Sequence, residues 1–178
     1  MAQPHHTARR NNTGFTLIEL LVALALMGIL AAWGLPNFQA LGERSAVTSE
    51  VNRLQTILTL ARNTAITQRG DITVCPANEE KNACSDDWNN PIIIVNGDKT
   101  TSISEQDILR VFAPTQGTHV TKNGHSRIKY NAMGHVGGFN STYTICPSND
   151  QTTSSGAELV VSTLGRARVG EDPISCAD

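Results

Sequence analysis

The 24 residues from Phe15 to Phe38, FTLIELLVALALMGILAAWGLPNF, carry a single charge, that of Glu19. A helix needs about 20 apolar residues to cross the hydrocarbon core of a bilayer, so this run is expected to span one. Residues 1–14 are polar and include Arg9 and Arg10, a bias that leaves their end in the cytoplasm. An ordinary secretory signal would place a small-residue cleavage site after the apolar stretch. None is evident, so the segment is expected to be retained. A carboxylate at membrane depth costs about 2.5–3.5 kcal/mol, less near the interface, so Glu19 is expected to have a partner.

Beyond Pro36 the pattern turns amphipathic. Val47, Val51, Leu54, Leu58, Ala61 and Ala65 recur at alternating spacings of four and three, which draws one stripe along a helix. Glu43, Glu50, Arg53, Arg62 and Arg69 are expected mostly off that stripe. Gly70 is a stop signal, so one helix is predicted from about Phe15 to Arg69, loosened or bent at Gly34 and Pro36. The remainder, 71–178, reads as strands: Ile72–Cys75, Pro91–Val95, Ile108–Ala113, Arg127–Asn131, Tyr143–Cys146 and Glu158–Thr163, separated by Gly, Asn, Asp and Pro clusters. Asn96-Gly97-Asp98 suggests a hairpin turn. Gly134, Gly137 and Gly138 mark another turn, and Ser148–Gly156 an exposed loop.

Net charge is −2 and aromatic content 4%, so no global charge points to nucleic acid. The distribution is uneven. Eight acids face two lysines between Asp71 and Asp107, whereas six bases face two acids between Ile108 and Gly170. One acidic and one basic face are expected. Catalytic motifs are absent: no nucleophile elbow, zincin helix, phosphate loop or dinucleotide fingerprint occurs. His119, His125 and His135 lack ligand spacing, and nothing implies a cofactor or a metal. Cys75, Cys84, Cys146 and Cys176 form no CxxC pair. Four cysteines behind a membrane-targeting segment suggest two disulfides in an oxidising compartment.

Gly14-Phe15-Thr16-Leu17-Ile18-Glu19 resembles the leader junction of type IV prepilins and type II secretion pseudopilins. The resemblance implies a leader at 1–14, cleavage between Gly14 and Phe15 by a prepilin peptidase, and N-methylation of Phe15. It implies that Glu19 pairs with the terminal amine of a neighbouring subunit during assembly. It further implies an α+β pilin fold, a long N-terminal helix packed on an antiparallel β-sandwich-like head. Residues 15–38 would form the transmembrane and filament-core half, and 39–178 the periplasmic head. The protein would sit in the inner membrane as a single-pass subunit and also in a pilus or pseudopilus, with other pilins as partners.

Cys75-Pro76, Cys84, Trp88, Ile108-Leu109-Arg110 and the ending Leu159–Thr163 with Gly165-Arg166-Ala167-Arg168 are similar to the FimT/GspH branch of minor pilins. Within it, Gly165, Arg166 and Arg168 match the Gly-Arg-x-Arg pattern of FimT-like subunits that bind DNA in natural transformation. That implies a non-specific DNA site on the phosphate backbone, with Lys122, Arg127 and Lys129 as candidate additions. Residues 166 and 168 point to one side of an extended chain. No aromatic residues interleave with these bases, so binding is expected to be electrostatic, with a log–log salt slope of about −2.7 for three phosphates. The alternative is a structural tip or priming subunit without DNA binding; an enzyme is a distant third. The favoured disulfides are Cys75–Cys84, closing a short acidic loop, and Cys146–Cys176, tying the tail to a strand.

Overall fold

A computed structural model describes residues 15–148, 155–172 and 174–176, with the side chains of 33–37, 39, 40 and 155 excepted. The expected leader, Gly14 included, lies outside the described residues, as does most of the 148–156 loop. The chain divides into two compact units, Met1–Gln39 and Ala40–Asp178.

Helix α1 runs Leu17–Gln68, and its assignment continues through Gly34 and Pro36. In its first part the large apolar side chains are exposed, from Leu17 through Ile29 and Leu30. Among the described residues, no helix is long and apolar enough to cross a membrane. In its second part the predicted stripe is buried at every position, joined by Ile57. The helix closes on a Schellman motif: Gly70 N–H donates to Ala65 O and Arg69 N–H to Ile66 O. The left-handed residue there is Arg69, at φ 50°, not the glycine expected to end the helix.

Among the described residues nine strands follow: β1 Ile72–Pro76, β2 Ile92–Asn96, β3 Ile108–Phe112, β4 Thr118–Lys122, β5 Ile128–Tyr130, β6 Ser141–Pro147, β7 Ser155–Val161, β8 Ala167–Val169 and β9 Ile174–Ser175. They form two antiparallel sheets, β3-β2-β1-β5 and β4-β6-β7-β8, with β9 on β7. The second sheet alternates in the period of two: β6 buries Ser141, Tyr143, Ile145 and Pro147 and half-exposes the residues between. Its inner residues, with those of β1, β2 and β5, close one core on the helix stripe. The centre of the first sheet is buried on both faces, because Cys75, Ile93 and Val95 pack under the β2–β3 connection through Ile103. This explains why the β2 sequence is an unbroken apolar run, IIIV, with no alternation.

Three expectations are corrected. Asn96-Gly97-Asp98 is not a tight hairpin: β3 begins only at Ile108, and Gly97 N–H donates to Asp71 O as β2 ends. The acidic and basic stretches are not fully segregated, because β5 lies beside β1 and brings Lys129 within 3.1 Å of Asp98 and 3.8 Å of Asp71, with Arg127 at 3.2 Å from Asp98. Glu50 does not lie off the stripe but is 1% exposed. Its carboxylate accepts from Arg53 Nε at 2.9 Å and Nη2 at 3.0 Å, and from the Thr115 hydroxyl. The buried charge is therefore paired and hydrogen-bonded, as burial requires. Disulfides join Cys75 to Cys84 and Cys146 to Cys176.

Candidate nucleic-acid interface

Gly165, Arg166 and Arg168 lie where β7 turns into β8. Gly165 N–H donates to Ser162 O at 2.7 Å, and Ser162 N–H donates to Arg166 O at 3.0 Å. Arg166 N–H donates back to the Ser162 hydroxyl at 3.3 Å. The turn thus fixes the backbone of the first arginine on both sides. Gly165 has φ +75°, in the region that favours glycine. A Cβ there would collide with the carbonyl oxygen of Gly134 and stand 3.0 Å from the Tyr130 ring. The glycine is therefore required twice, by its dihedral and by its neighbour.

The register pairs Val161 with Ala167 and Val160 with Arg168. Leu159 and Val161 point into the core, whereas Val160 is exposed. Directly opposed residues share a face, so Arg168 projects outward beside Val160. Arg166 precedes it by two and is exposed as well. Among the described residues neither guanidinium is in an ion pair. Glu158 is the near acid on that strand; its carbonyl accepts from Gly170 N–H at 2.8 Å, two pairs beyond Arg168. On its other side β8 meets α1, where the Gln55 amide donates to Ala167 O at 3.5 Å. The Cys146–Cys176 bridge and the β7–β9 pairs hold the chain that follows β8.

The other candidate bases are not brought to this place. Lys122 is on β4, at the far edge of the same sheet, three strands from β8 and so about 14 Å away at least. Its ammonium donates to the carbonyls of Asn123 and His125 and lies 5.8 Å from the Trp88 and Tyr143 ring centroids. Burial pushes it down to about 8. Arg127 and Lys129 belong to the other sheet, where Asp98 and Asp71 already neutralise them.

A different base stands at the motif. Arg62, half-buried on α1, donates from Nε to Gly134 O at 3.0 Å, the same oxygen against which Gly165 packs. The turn that carries Gly134 is held by Asn131, whose side chain accepts from the N–H groups of Met133 and His135. It is joined to the β7–β8 turn by Val136 N–H to Thr163 O at 3.1 Å. The sequence marked Gly134 as a turn residue but gave no sign that this turn meets the arginine motif, because the contact joins residues about 30 positions apart. Among the described residues no group of three or more His, Cys, Asp or Glu gathers for a metal. Glu19 lies in the first turn of α1, where its N–H donates to the Thr16 hydroxyl at 3.3 Å, and its carboxylate makes no ion pair among the described residues.

A family model described as type II transport protein GspH matches residues 50–165. A model of the prokaryotic N-terminal methylation motif matches residues 9–35. The chain is similar to a fimbrial protein of Pseudomonas aeruginosa, 42% identical over 50 residues, which are 28% of this chain and 32% of that protein. It is similar to the type IV major pilin protein PilA of Myxococcus xanthus (strain DK1622), 40% identical over 52 residues, 29% of this chain and 24% of that protein. The chain thus spans about a third or less of the length of these curated relatives. In fold it is similar to the type IV minor pilin FimU of P. aeruginosa (strain PAO1), with a TM-score of 0.60 and 21% identity, over 75% of this chain and 96% of that one.

Proposed function

The chain belongs to the GspH family of type II transport proteins and is a minor pilin or pseudopilin, and on that premise we propose that it binds DNA non-specifically for uptake in natural transformation. The observation that carries this reading is the pair of exposed arginines, Arg166 and Arg168, which among the described residues have no acidic partner and which lie at and just before β8 behind a glycine-dependent turn. Guanidinium suits a phosphate diester because its planar fork donates two parallel hydrogen bonds and stays charged. A backbone fixed before binding loses less entropy when it grips a ligand. The Gly165-Arg166-Ala167-Arg168 sequence resembles that of FimT-like minor pilins, which supports the same assignment. The reading also takes in cleavage after Gly14, N-methylation of Phe15, assembly through Glu19 and a single pass of 15–38 through the inner membrane, with 39–178 in the periplasm. The prepilin peptidase and other pilins are its protein partners.

A second reading, a structural tip or priming subunit of a type IV pilus or type II secretion pseudopilus without DNA binding, is favoured in its secretion form by the description of the matching family. Titration of the detergent-solubilised chain with duplex DNA across about 50–200 mM salt separates the two. The two motif arginines alone give a log–log slope of about −1.8, and Arg166→Gln or Arg168→Gln each removes about one unit. Absence of binding in low salt, or a double Gln variant as tight as wild type, assigns the chain to the structural role.

A further inference from the structure

The guanidinium of Arg62 does more at the motif than its one hydrogen bond requires. Nε alone donates to Gly134 O, and any donor of suitable reach could replace it. The two Nη nitrogens have no hydrogen-bond partner or ion pair among the described residues, and neither is among the buried unpaired atoms. The fork of this half-buried side chain therefore reaches solvent. The turn is shaped around it. Gly134 has φ +73°, and a Cβ there would stand 3.0 Å from Arg62 Cγ and 2.8 Å from Ile66 Cδ1. Glycine lets the Arg62 stem lie flat on the turn, so that its head emerges at the carbonyl against which Gly165 packs. A helix, the turn after β5 and the β7–β8 turn, far apart in sequence, thus converge on one carbonyl oxygen, with Arg62 bonded to it and Gly165, the residue before Arg166, packed on it.

We infer that Arg62 is the third cation of this anion site and takes a backbone phosphate of DNA through its free fork, beside Arg166 and Arg168. The inference rests on the proposed DNA-binding reading and deepens it. It restores three phosphate contacts to a site from which Lys122, Arg127 and Lys129 are removed by position. The helix supplies a cation whose backbone does not belong to either turn, and contacts to phosphates alone are indifferent to base sequence.

The test is salt-dependent binding of a fluorescent duplex by the full chain in detergent micelles. Wild type is expected to give a slope of about −2.7 and Arg62→Gln about −1.8. If each contact contributes only counterion release, affinity falls about fifteenfold at 50 mM salt and about fivefold at 150 mM. Arg62→Lys, which keeps the charge, should keep the steeper slope. Protection from arginine-selective modification by phenylglyoxal, mapped by mass spectrometry on wild type, gives a readout that needs no variant to fold. DNA should shield Arg62 together with Arg166 and Arg168 and leave Arg110, exposed on β3, reactive. A wild-type slope near −1.8 that Arg62→Gln leaves unchanged, or an Arg62 still fully reactive in the complex, overturns the inference and leaves the two-arginine reading standing. So does a fall in affinity with no change of slope, which marks Arg62 as merely holding the turn. A wild-type chain that binds no DNA overturns both.

Discussion

Substitution of Gly165 by alanine isolates the contact on which the motif turn depends. Gly97 provides the reference, because it too has a left-handed φ, +86°, but no atom lies within 4 Å of where its Cβ would be. Gly97→Ala therefore carries the dihedral cost alone, about 1–2 kcal/mol. Gly165→Ala carries that cost plus an overlap with the Gly134 carbonyl and a 3.0 Å approach to the Tyr130 ring. Neither neighbour is the free end of a flexible side chain: one is backbone, and the other is 0% exposed in the core. Overpacking of this kind costs about 1–3 kcal/mol. Gly165→Ala should therefore be about 2–5 kcal/mol less stable than wild type, a large share of a typical 5–15 kcal/mol. At about 3–4 °C per kcal/mol, its melting temperature should fall several degrees below that of Gly97→Ala. Thermal unfolding followed by near-ultraviolet circular dichroism reads the difference. If the two variants melt together, the Gly134–Gly165 approach is not what fixes the turn, and the description of the site built on it fails.

Assembled protein should begin at N-methylated Phe15, and Gly14→Val should block cleavage; intact residues 1–14 on assembled protein, found by mass spectrometry, would refute this. Glu19→Ala should insert but enter filaments poorly, which immunodetection on sheared filaments checks. Burial lowers Lys122 from 10.5 to about 8, so between those values the unfolded chain holds the proton that the folded chain has released. Stability should therefore rise as pH climbs from about 8 towards 10.5. The Asn123 and His125 carbonyls and the partial exposure of the side chain hold the gain to about 1–2 kcal/mol. Urea midpoints at pH 8 and 10 measure it, and Lys122→Met should flatten the profile. The Cys146–Cys176 bridge spans 30 positions and Cys75–Cys84 nine, so chain entropy gives about 3.7 and about 2.7 kcal/mol for the two bridges. The double serine variant of the longer one should be the less stable in urea; the reverse order would count against the entropic explanation.

The helix stripe and the strands of the first sheet were legible because burial leaves a periodic or continuous apolar record. The segment that forms β4, THVTK, was not. Its inward residues, Thr118 and Val120, alternate with polar ones that give no apolar signal, and one of the two buried positions is itself a threonine. β8 and β9, three and two residues long, are too short for any period and exist because β7 offers them hydrogen bonds. Glu50 shows the limit from the other side. A charged residue three after Val47 reads as a solvent position, and its pairing with Arg53 together with the arrival of Thr115 from the β3–β4 connection makes burial tolerable. At the site, the arginine spacing was visible in the sequence. The exclusion of Lys122, Arg127 and Lys129 was not, because it follows from sheet order and from acids of another strand. Arg62 was hidden for the same reason: its meeting with Gly134 is a product of tertiary packing.

The most direct test of DNA binding as the role of this chain is made in the native host, with Arg166→Gln and Arg168→Gln introduced together. Uptake of fluorescent duplex DNA is counted per cell, with surface filaments scored on the same cells. Losing two phosphate contacts at about 0.15 M salt should lower capture about thirtyfold, while exposed charge substitutions that move stability by less than about 0.5 kcal/mol each leave filament assembly normal. Undiminished uptake on cells with normal filaments would contradict the DNA-binding role.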